Sequence, residues 1–505
     1  MSFLSITYGL FLLSLLGIYW SLTQEWLRLW TLLIGSLVFY ASLQIQYIPL
    51  LLVLVLINFR LGLALGENTS PGPHALDAWI SNEEWQFAQA DWNRRRFKVL
   101  WLGIILNAVV LLVFKYFSFL TTFVLRQSPD STLGSLKLLA PLGISFFTFE
   151  CIAYLVDVYR GAPATKDFVK FAAYKFFFTK LISGPITRYH NLVQQFNTVK
   201  FPTPDTVAEG LWLIARGAVK KGLLADNLGV FVDICFRSLE RAGTSDLWLA
   251  IFAYGFQLYL DFSGYVDIAR GTAILFGLVL PENFNSPYFT TSIADFWRRW
   301  HITLGDWLRN YLYFPLGGSR GTLVRTCWNL MIVMLIAGIW HGGSGTRPDP
   351  TGYLVWGAYH GLALVVHRIT QEYSRRSSAL FYFWQNPLGI LIAWLLTQGM
   401  VFTSWIFFRL PNFQDFSLVL RHLWGHQGDA QFAQKVYLEA LNTSPQQITV
   451  MIMALAVVMT LIYLFKHQLK LQINWPLKLL FVPICLYAVW VLAPESSLPY
   501  IYFDF

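Results

Sequence analysis

Charged residues are scarce in this 505-residue chain, at 13%, where a soluble globular domain carries roughly 25%. That scarcity, beside a hydrophobic content of 56% gathered into long runs, excludes a water-soluble fold and places the chain in a bilayer. Cysteine is scarcer still. Cys151, Cys235, Cys327 and Cys485 stand far apart in apolar surroundings, without the paired spacing of a zinc, redox or disulfide site, and are expected as buried thiols. No basic residue precedes the apolar run from Phe3 to Trp20 and no small-residue cleavage site follows it, so it reads as a first span, not as a cleaved leader. No basic run interleaved with aromatics stands in a polar segment, which argues against nucleic acid as a partner. A His-Glu-x-x-His motif, a Gly-x-Ser-x-Gly elbow and a phosphate-binding glycine loop are also missing. His360 and His367 share a helical face but have no acidic ligand at suitable spacing, so no metal is expected.

What is present is a series of apolar blocks, over residues 3–20, 26–41, 45–65, 99–125, 138–158, 170–186, 207–235, 247–280, 328–341, 352–369, 388–409, 447–465 and 476–493. A spanning helix needs about 20 apolar residues, because backbone amides in hydrocarbon must be satisfied within the segment. The blocks therefore predict an all-α polytopic integral membrane protein with about 11 to 13 membrane segments. Residues 1–505 are expected to form a single membrane domain, with 66–97 and 411–446 as surface loops. The formal charge of +9, from 37 Lys and Arg against 28 Asp and Glu, fits basic cytoplasmic loops.

The interval 281–326 breaks the pattern, since it mixes aromatics with Asp295, Arg298, Arg299, His301, Asp306 and Arg309 between strongly apolar flanks. Each such charge at bilayer centre costs about 2.5–3.5 kcal/mol, so the interval is predicted to form re-entrant or interfacial helices lining an internal cavity. Ser292 reads as a helix cap with Asp295 three residues on, and Asp295 is placed to pair with Arg298 and Arg299. Trp297, Trp300, His301 and Leu304 would share one helical stripe. Two readings are open: an interfacial amphipathic helix anchored by tryptophan, or an imidazole held in a weakly hydrated aromatic surface.

Asn329 opens an apolar helix that ends in Trp340-His341-Gly-Gly. Gly342 and Gly343 would permit a left-handed cap and close approach by a ligand, and the negative end of the helix dipole would raise the basicity of His341. The imidazole serves either to cap helix carbonyls or to move protons near neutrality. Farther upstream, Asp261 and Asp267 lie in a long apolar segment; Arg270 is spaced to pair with Asp267, giving either a lock between helices or a substrate-lining surface.

These stretches together resemble the membrane-bound O-acyltransferase family, and within it the branch of bacterial alginate O-acetyltransferase membrane subunits. The resemblance rests on Asp295-Phe-Trp-Arg-Arg-Trp-His301, Trp340-His341-Gly, Pro141-Leu-Gly-Ile-Ser-Phe-Phe-Thr-Phe-Glu150, Leu155-Val-Asp-Val-Tyr-Arg-Gly161 and Ser183-Gly-Pro-Ile-Thr-Arg-Tyr189. It continues through Lys220-Lys-Gly-Leu-Leu-Ala-Asp-Asn227, Asp261-Phe-Ser-Gly-Tyr265, Pro281-Glu-Asn-Phe-Asn-Ser-Pro-Tyr288 and Tyr500-Ile-Tyr-Phe-Asp-Phe505. It implies tilted helices ringed around a central cavity, His341 as the catalytic histidine and His301 as a second required one. The implied chemistry moves an acyl group, acetyl for this branch, from a cytoplasmic thioester such as acetyl-CoA, with no permanently bound cofactor. The implied acceptor is an extracytoplasmic polysaccharide or a partner acetyltransferase, and the implied location is the bacterial inner membrane.

On this reading His341 acts as general base, His301 positions or polarises, and donated hydrogen bonds from His301 or its neighbours stabilise the oxyanion. Donor or substrate contacts are expected from Trp300, Arg298, Arg299, Asp295, Arg309, Asn329, Trp340 and Asp261, with Arg309, Arg320 and Arg325 attracting donor phosphates. The alternatives are a D-alanyl transferase fed by a carrier-protein thioester and a transporter of acylated saccharide. A transporter more often shows paired repeats with interrupted helices, which are not discernible here.

Overall fold

The computed structural model describes residues 3–66, 82–119, 121, 140–342, 349–494 and 498–501. Among them every regular element is a helix, apart from one isolated antiparallel bridge between Phe284 and Trp300. Among the described residues six helical stretches are long and apolar enough to cross a bilayer: Glu25–Gly66, Asp91–Phe117, Leu323–His341, Pro387–Arg409, Pro445–Gln468 and Trp475–Leu492. The protein is therefore a polytopic helical membrane protein. Blocks such as 138–158, 207–235 and 247–280, counted above as membrane segments, also fold as helices, but they are shorter or carry buried ionic groups.

The chain packs as two compact units. The first, Met1–Phe117, Leu136–Phe201 and Phe276–Leu280, holds α1 (Ile6–Ser21), α2 (Glu25–Gln44), α3 (Ile48–Gly66), most of α4 (Asn82–Phe119), α5 (Ile144–Tyr159), α6 (Phe168–Phe176) and α7 (Tyr189–Phe196). Its polar centre is Glu150 of α5, which is buried. Both Glu150 oxygens accept from Lys180 Nζ at 2.7 Å, Lys175 Nζ donates to Oε2 at 3.1 Å, and Thr187 donates its backbone N–H and its hydroxyl, each at 3.0 Å. A buried carboxylate requires such partners: Thr187 ties the Pro141–Glu150 motif to Ser183–Tyr189, and Lys175 and Lys180 come from the stretch between them.

The second unit, Ser118–Ser135, Pro202–Leu275 and Pro281–Phe505, begins with α8 (Pro204–Ala218), which runs through a π-helical stretch, Val219–Ala225, into α9 (Asp226–Arg237). It continues with α10 (Thr244–Leu275), α11 (Ile293–Arg299), α12 (Ile302–Leu308), α13 (Leu323–His341), α14 (Thr351–Arg376), α15 (Ser378–Phe383) and α16 (Pro387–Arg409). Then follow α17 (Phe413–His422), α18 (Ala430–Phe432), α19 (Pro445–Tyr463) and α20 (Trp475–Leu492). Glycines set a close helix approach in it. A Cβ on Gly264 of α10 would lie 2.9 Å from the Gly217 carbonyl oxygen of α8, so only glycine lets the two backbones meet there.

Several expectations need correction. Of the interval 66–97, residues from Asn82 onward are helical, and 67–81 lie outside the described residues. The interval 411–446 is not a simple loop, because α17 and α18 fold within it and Tyr437 is buried, donating its hydroxyl to Asp246 at 2.6 Å. Asp267 pairs with Arg216 and Lys220, each at 2.7 Å, while Arg270 bonds Glu282 instead, at 3.3 Å. Contact across the α8–α10 seam wins over spacing within one helix. Cys151 and Cys235 are buried as expected, but Cys327 and Cys485 are only half-buried.

Glu150→Ala leaves Lys175 and Lys180 buried without their carboxylate, a loss of about 3–5 kcal/mol. The expected outcome is a lower thermal unfolding midpoint in detergent, and an unchanged midpoint would show that the cluster does not hold this unit together.

Candidate active site

The first histidine is placed by a break in the helix, where the sequence predicted continuity. Ser292 Oγ caps α11 by accepting from the Asp295 N–H, and Asp295 pairs with Arg299 at 2.9 Å, both as the spacing suggested. But α11 ends at Arg299. Trp300 is extended and bridges Phe284, and His301 turns left-handed at φ 45° before α12 begins. The proposed stripe of Trp297, Trp300, His301 and Leu304 therefore does not exist. A left-handed non-glycine residue costs about 1–2 kcal/mol and persists only where its surroundings over-determine it.

Here the surroundings are the 283–285 segment. Asn285 N–H donates to the Arg299 carbonyl and Ile302 N–H to the Asn283 carbonyl, each at 3.0 Å. Asn283 Oδ1 accepts from the Thr303 N–H at 3.0 Å and the Thr303 hydroxyl at 2.9 Å, and lies 3.2 Å from His301 Nδ1. Because a backbone N–H can only donate, the Asn283 atom facing Thr303 must be the oxygen, and an oxygen can only accept. His301 Nδ1 consequently carries a proton, which leaves Nε2 as the lone-pair nitrogen of the neutral ring. That departs from the expected oxyanion donor: in the neutral form, Nε2 of this ring accepts.

The second histidine ends α13. A Cβ on Gly338 would lie 3.1 Å from the Gly357 Cα, so α13 and α14 meet backbone to backbone just before His341. Gly342 is extended, with φ −79° and ψ 177°, so the expected left-handed cap is not formed there; Gly343 lies outside the described residues. A Cβ on Gly342 would come within 2.7 Å of Pro350 Cβ, so the glycine makes room for the returning chain. His341 is 3% exposed. Its ring centroid is 4.5 Å from Trp340, 4.9 Å from Phe408 and 5.3 Å from Trp356.

The two histidines belong to one continuous aromatic cluster. From His341 the ring contacts run through Trp356, His360, Trp297, Phe296, Trp300, Phe284 and Phe262 to His301, with successive centroids between 4.8 and 5.6 Å apart. His360 is fixed within it. Ser404 donates its proton to the Val401 carbonyl at 2.6 Å and so accepts from His360 Nε2 at 2.9 Å. Neither His301 nor His341 lines the 760 Å³ cavity in this unit, but Asn283 and Phe284 do.

The other predicted residues divide by role. Trp300 and Trp340 are buried in the aromatic cluster. Asn329 is buried and donates to the carbonyls of Leu316 and Gly318, which holds the turn before α13. Asp261 is buried against Lys221 at 2.6 Å and accepts from the Ile501 N–H, a structural use. Arg298 and Arg320 are exposed; Arg309 pairs with Asp306 at 2.7 Å, and Arg325 donates to the Leu316 carbonyl. The sequence reading gave Asn283 and His360 no part in the site. Asn283 stood within the Pro281–Tyr288 stretch, and its tie to His301 was invisible because the helix break was not foreseen.

This is the architecture of a polytopic helical membrane protein with histidines buried among aromatics. The sequence profile of the membrane-bound O-acyltransferase (MBOAT) family matches residues 95–408. Over 414 residues the chain is 38% identical to a probable alginate O-acetylase AlgI of Pseudomonas aeruginosa, covering 80% of this chain and 71% of the relative. It is 35% identical over 431 residues to a peptidoglycan O-acetyltransferase of Helicobacter pylori, covering 79% and 74%. A teichoic acid D-alanyltransferase of Streptococcus thermophilus is 26% identical over 325 residues, covering 58% and 76%. The chain belongs to the membrane-bound O-acyltransferase family and is a membrane O-acyltransferase.

Asn283→Ala removes the acceptor that fixes the His301 tautomer, and acyl transfer is expected to fall about 100-fold or more. Asn283→Asp keeps an acceptor for the Nδ1 proton and is expected to retain more activity. Equal loss in the two variants, measured on protein of unchanged melting temperature, would count against the tautomer argument.

Proposed function

We propose that this enzyme transfers an acetyl group from a cytoplasmic thioester, acetyl-CoA or a related donor, to a hydroxyl of an extracytoplasmic polysaccharide or of a partner acetyltransferase. His341 removes the proton of the accepting hydroxyl as its oxygen attacks the thioester carbonyl; collapse of the tetrahedral adduct breaks the C–S bond, and the His341 imidazolium returns the proton to the departing thiolate, which leaves as the thiol. His301, whose Nδ1 proton is committed to Asn283, offers Nε2 to orient a hydroxyl. The oxyanion is then served by donors other than the neutral His301 ring. The acetyl assignment draws on relatives named as alginate and peptidoglycan O-acetylating proteins.

The observation that supports a chemical role for His301 is its fixed tautomer. A ring that only filled space would need no fixed tautomer, whereas Asn283 Oδ1 holds the Nδ1 proton and leaves Nε2 as one defined acceptor.

The test is transfer of labelled acetyl from acetyl-CoA to a glycan acceptor by protein reconstituted in vesicles. His341→Ala and His301→Ala are each expected to lose about 100-fold or more of the rate. Undiminished transfer by His341→Ala would overturn the mechanism. Labelled D-alanyl carrier protein in a parallel arm separates the donor classes, and transfer from it alone would replace acetyl as the group moved.

A further inference from the structure

The 760 Å³ cavity of the second unit falls within the size range of small-molecule sites, about 300–1,000 Å³. Its lining combines two chemistries. One is cationic: Arg216 and Lys220 of the α8 region share the single carboxylate of Asp267, so that pairing leaves a positive charge over. Two further cations on the lining are matched one to one, Arg270 by Glu282 and Lys478 by Glu209. Lys466, just beyond α19, forms no ion pair among the described residues and lies within electrostatic reach of Lys220. The lining thus carries five basic side chains against three carboxylates, an excess of two positive charges.

The other is apolar, on α19, which runs on into the stretch that carries Lys466. Leu455, Val458, Met459 and Ile462 recur at helical spacing along α19 and face the cavity. Only 11% of the apolar window of that helix is buried, so it is a lipid-facing wall, and it lies beyond residue 408, where the family match ends. Asn283 joins the cavity to the proposed chemistry, since it both lines the space and holds His301.

Surplus cations beside an apolar wall select a ligand that is itself divided, with an oxyanion at one end and a chain at the other. We propose that this cavity binds a phosphate-bearing amphiphile, its phosphate held by Arg216, Lys220 and Lys466 and its chain laid along α19. Two ligands share that chemistry: the phosphopantetheine arm of a thioester donor and the headgroup of an anionic phospholipid. Only the first assignment rests on the acyl-transfer reading. It moves the donor phosphates away from Arg309, Arg320 and Arg325, of which Arg309 and Arg325 have protein partners and Arg320 is exposed.

Binding is measured on purified full-length protein without turnover, so failure of this proposal is distinguishable from failure of acetyl transfer. In one arm coenzyme A is titrated in neutral detergent; in the other, retention of phosphatidylglycerol over phosphatidylcholine is counted by native mass spectrometry. Lys466→Glu is expected to weaken one of the two ligands about tenfold or more, the loss of one charge-assisted contact. Met459→Trp, which fills the chain side, is expected to weaken the same ligand, while Lys435→Glu, an exposed charge away from the cavity lining, is expected to change neither. Weakened coenzyme A binding identifies the donor arm, and weakened phosphatidylglycerol retention alone identifies a lipid headgroup. If neither ligand binds saturably, or both bind Lys466→Glu and Met459→Trp as they bind the wild type, the cavity is not such a site.

Discussion

Charge withdrawn from water inside a membrane protein must be met by opposite charge or by hydrogen bonds, and in this chain that requirement decides which helices meet. Lys221 shows it most fully. Its ammonium lies 2.6 Å from Asp261 and 2.8 Å from Asp226, and it also donates to the Pro499 carbonyl at 3.2 Å. The second oxygen of Asp261 accepts from the Ile501 N–H at 3.0 Å, so one buried lysine and its partners join α10 and the π-helical turn to the C-terminal segment. Asp267, one face further along α10, performs the same service for Arg216 and Lys220. Removing any one member would leave its partners charged in a medium that solvates them poorly, which is why these pairs fix register as well as proximity.

Close backbone approach supplies what the ion pairs need. Gly217 against Gly264 brings α8 and α10 near enough for side chains of ordinary reach to bond across the seam, and Gly338 beside Gly357 brings the backbones of α13 and α14 together. In lipid, where the hydrophobic effect gives no drive to associate helices, such small-residue contacts and interhelical polar bonds hold a bundle together. His341 sits where the second of these seams ends, so its surroundings of Trp340, Tyr353, Trp356 and Phe408 follow from backbone packing one turn below.

The site combines two kinds of order. Around His341 the neighbours are large aromatic rings, which exclude water and fix the imidazole plane through edge contacts. Around His301 the order is polar and directional, because Asn283 and Thr303 set which nitrogen carries the proton. A ring fixed in tautomer by a buried amide presents one defined nitrogen, and a ring held by packing presents one defined plane. His360, lodged between them and bonded to Ser404, links the two environments without needing a chemical part of its own.

By itself the sequence determined the membrane setting, the helical class and the family, and it singled out two histidines as candidates, because hydropathy and short motifs are properties of contiguous residues. The cap at Ser292 and the Asp295–Arg299 pair were legible for the same reason: both lie within one turn. Only the tertiary structure decided that Asp267 answers to Arg216 and Lys220 and not to Arg270, that the helix breaks at Trp300, and that Asn283 selects the His301 tautomer. Each of these depends on a group brought from another segment. Local spacing ranks the partners within a helix, but it carries no information about a carboxylate or amide that arrives across a glycine seam or a reversed turn and binds more closely than any neighbour in the chain.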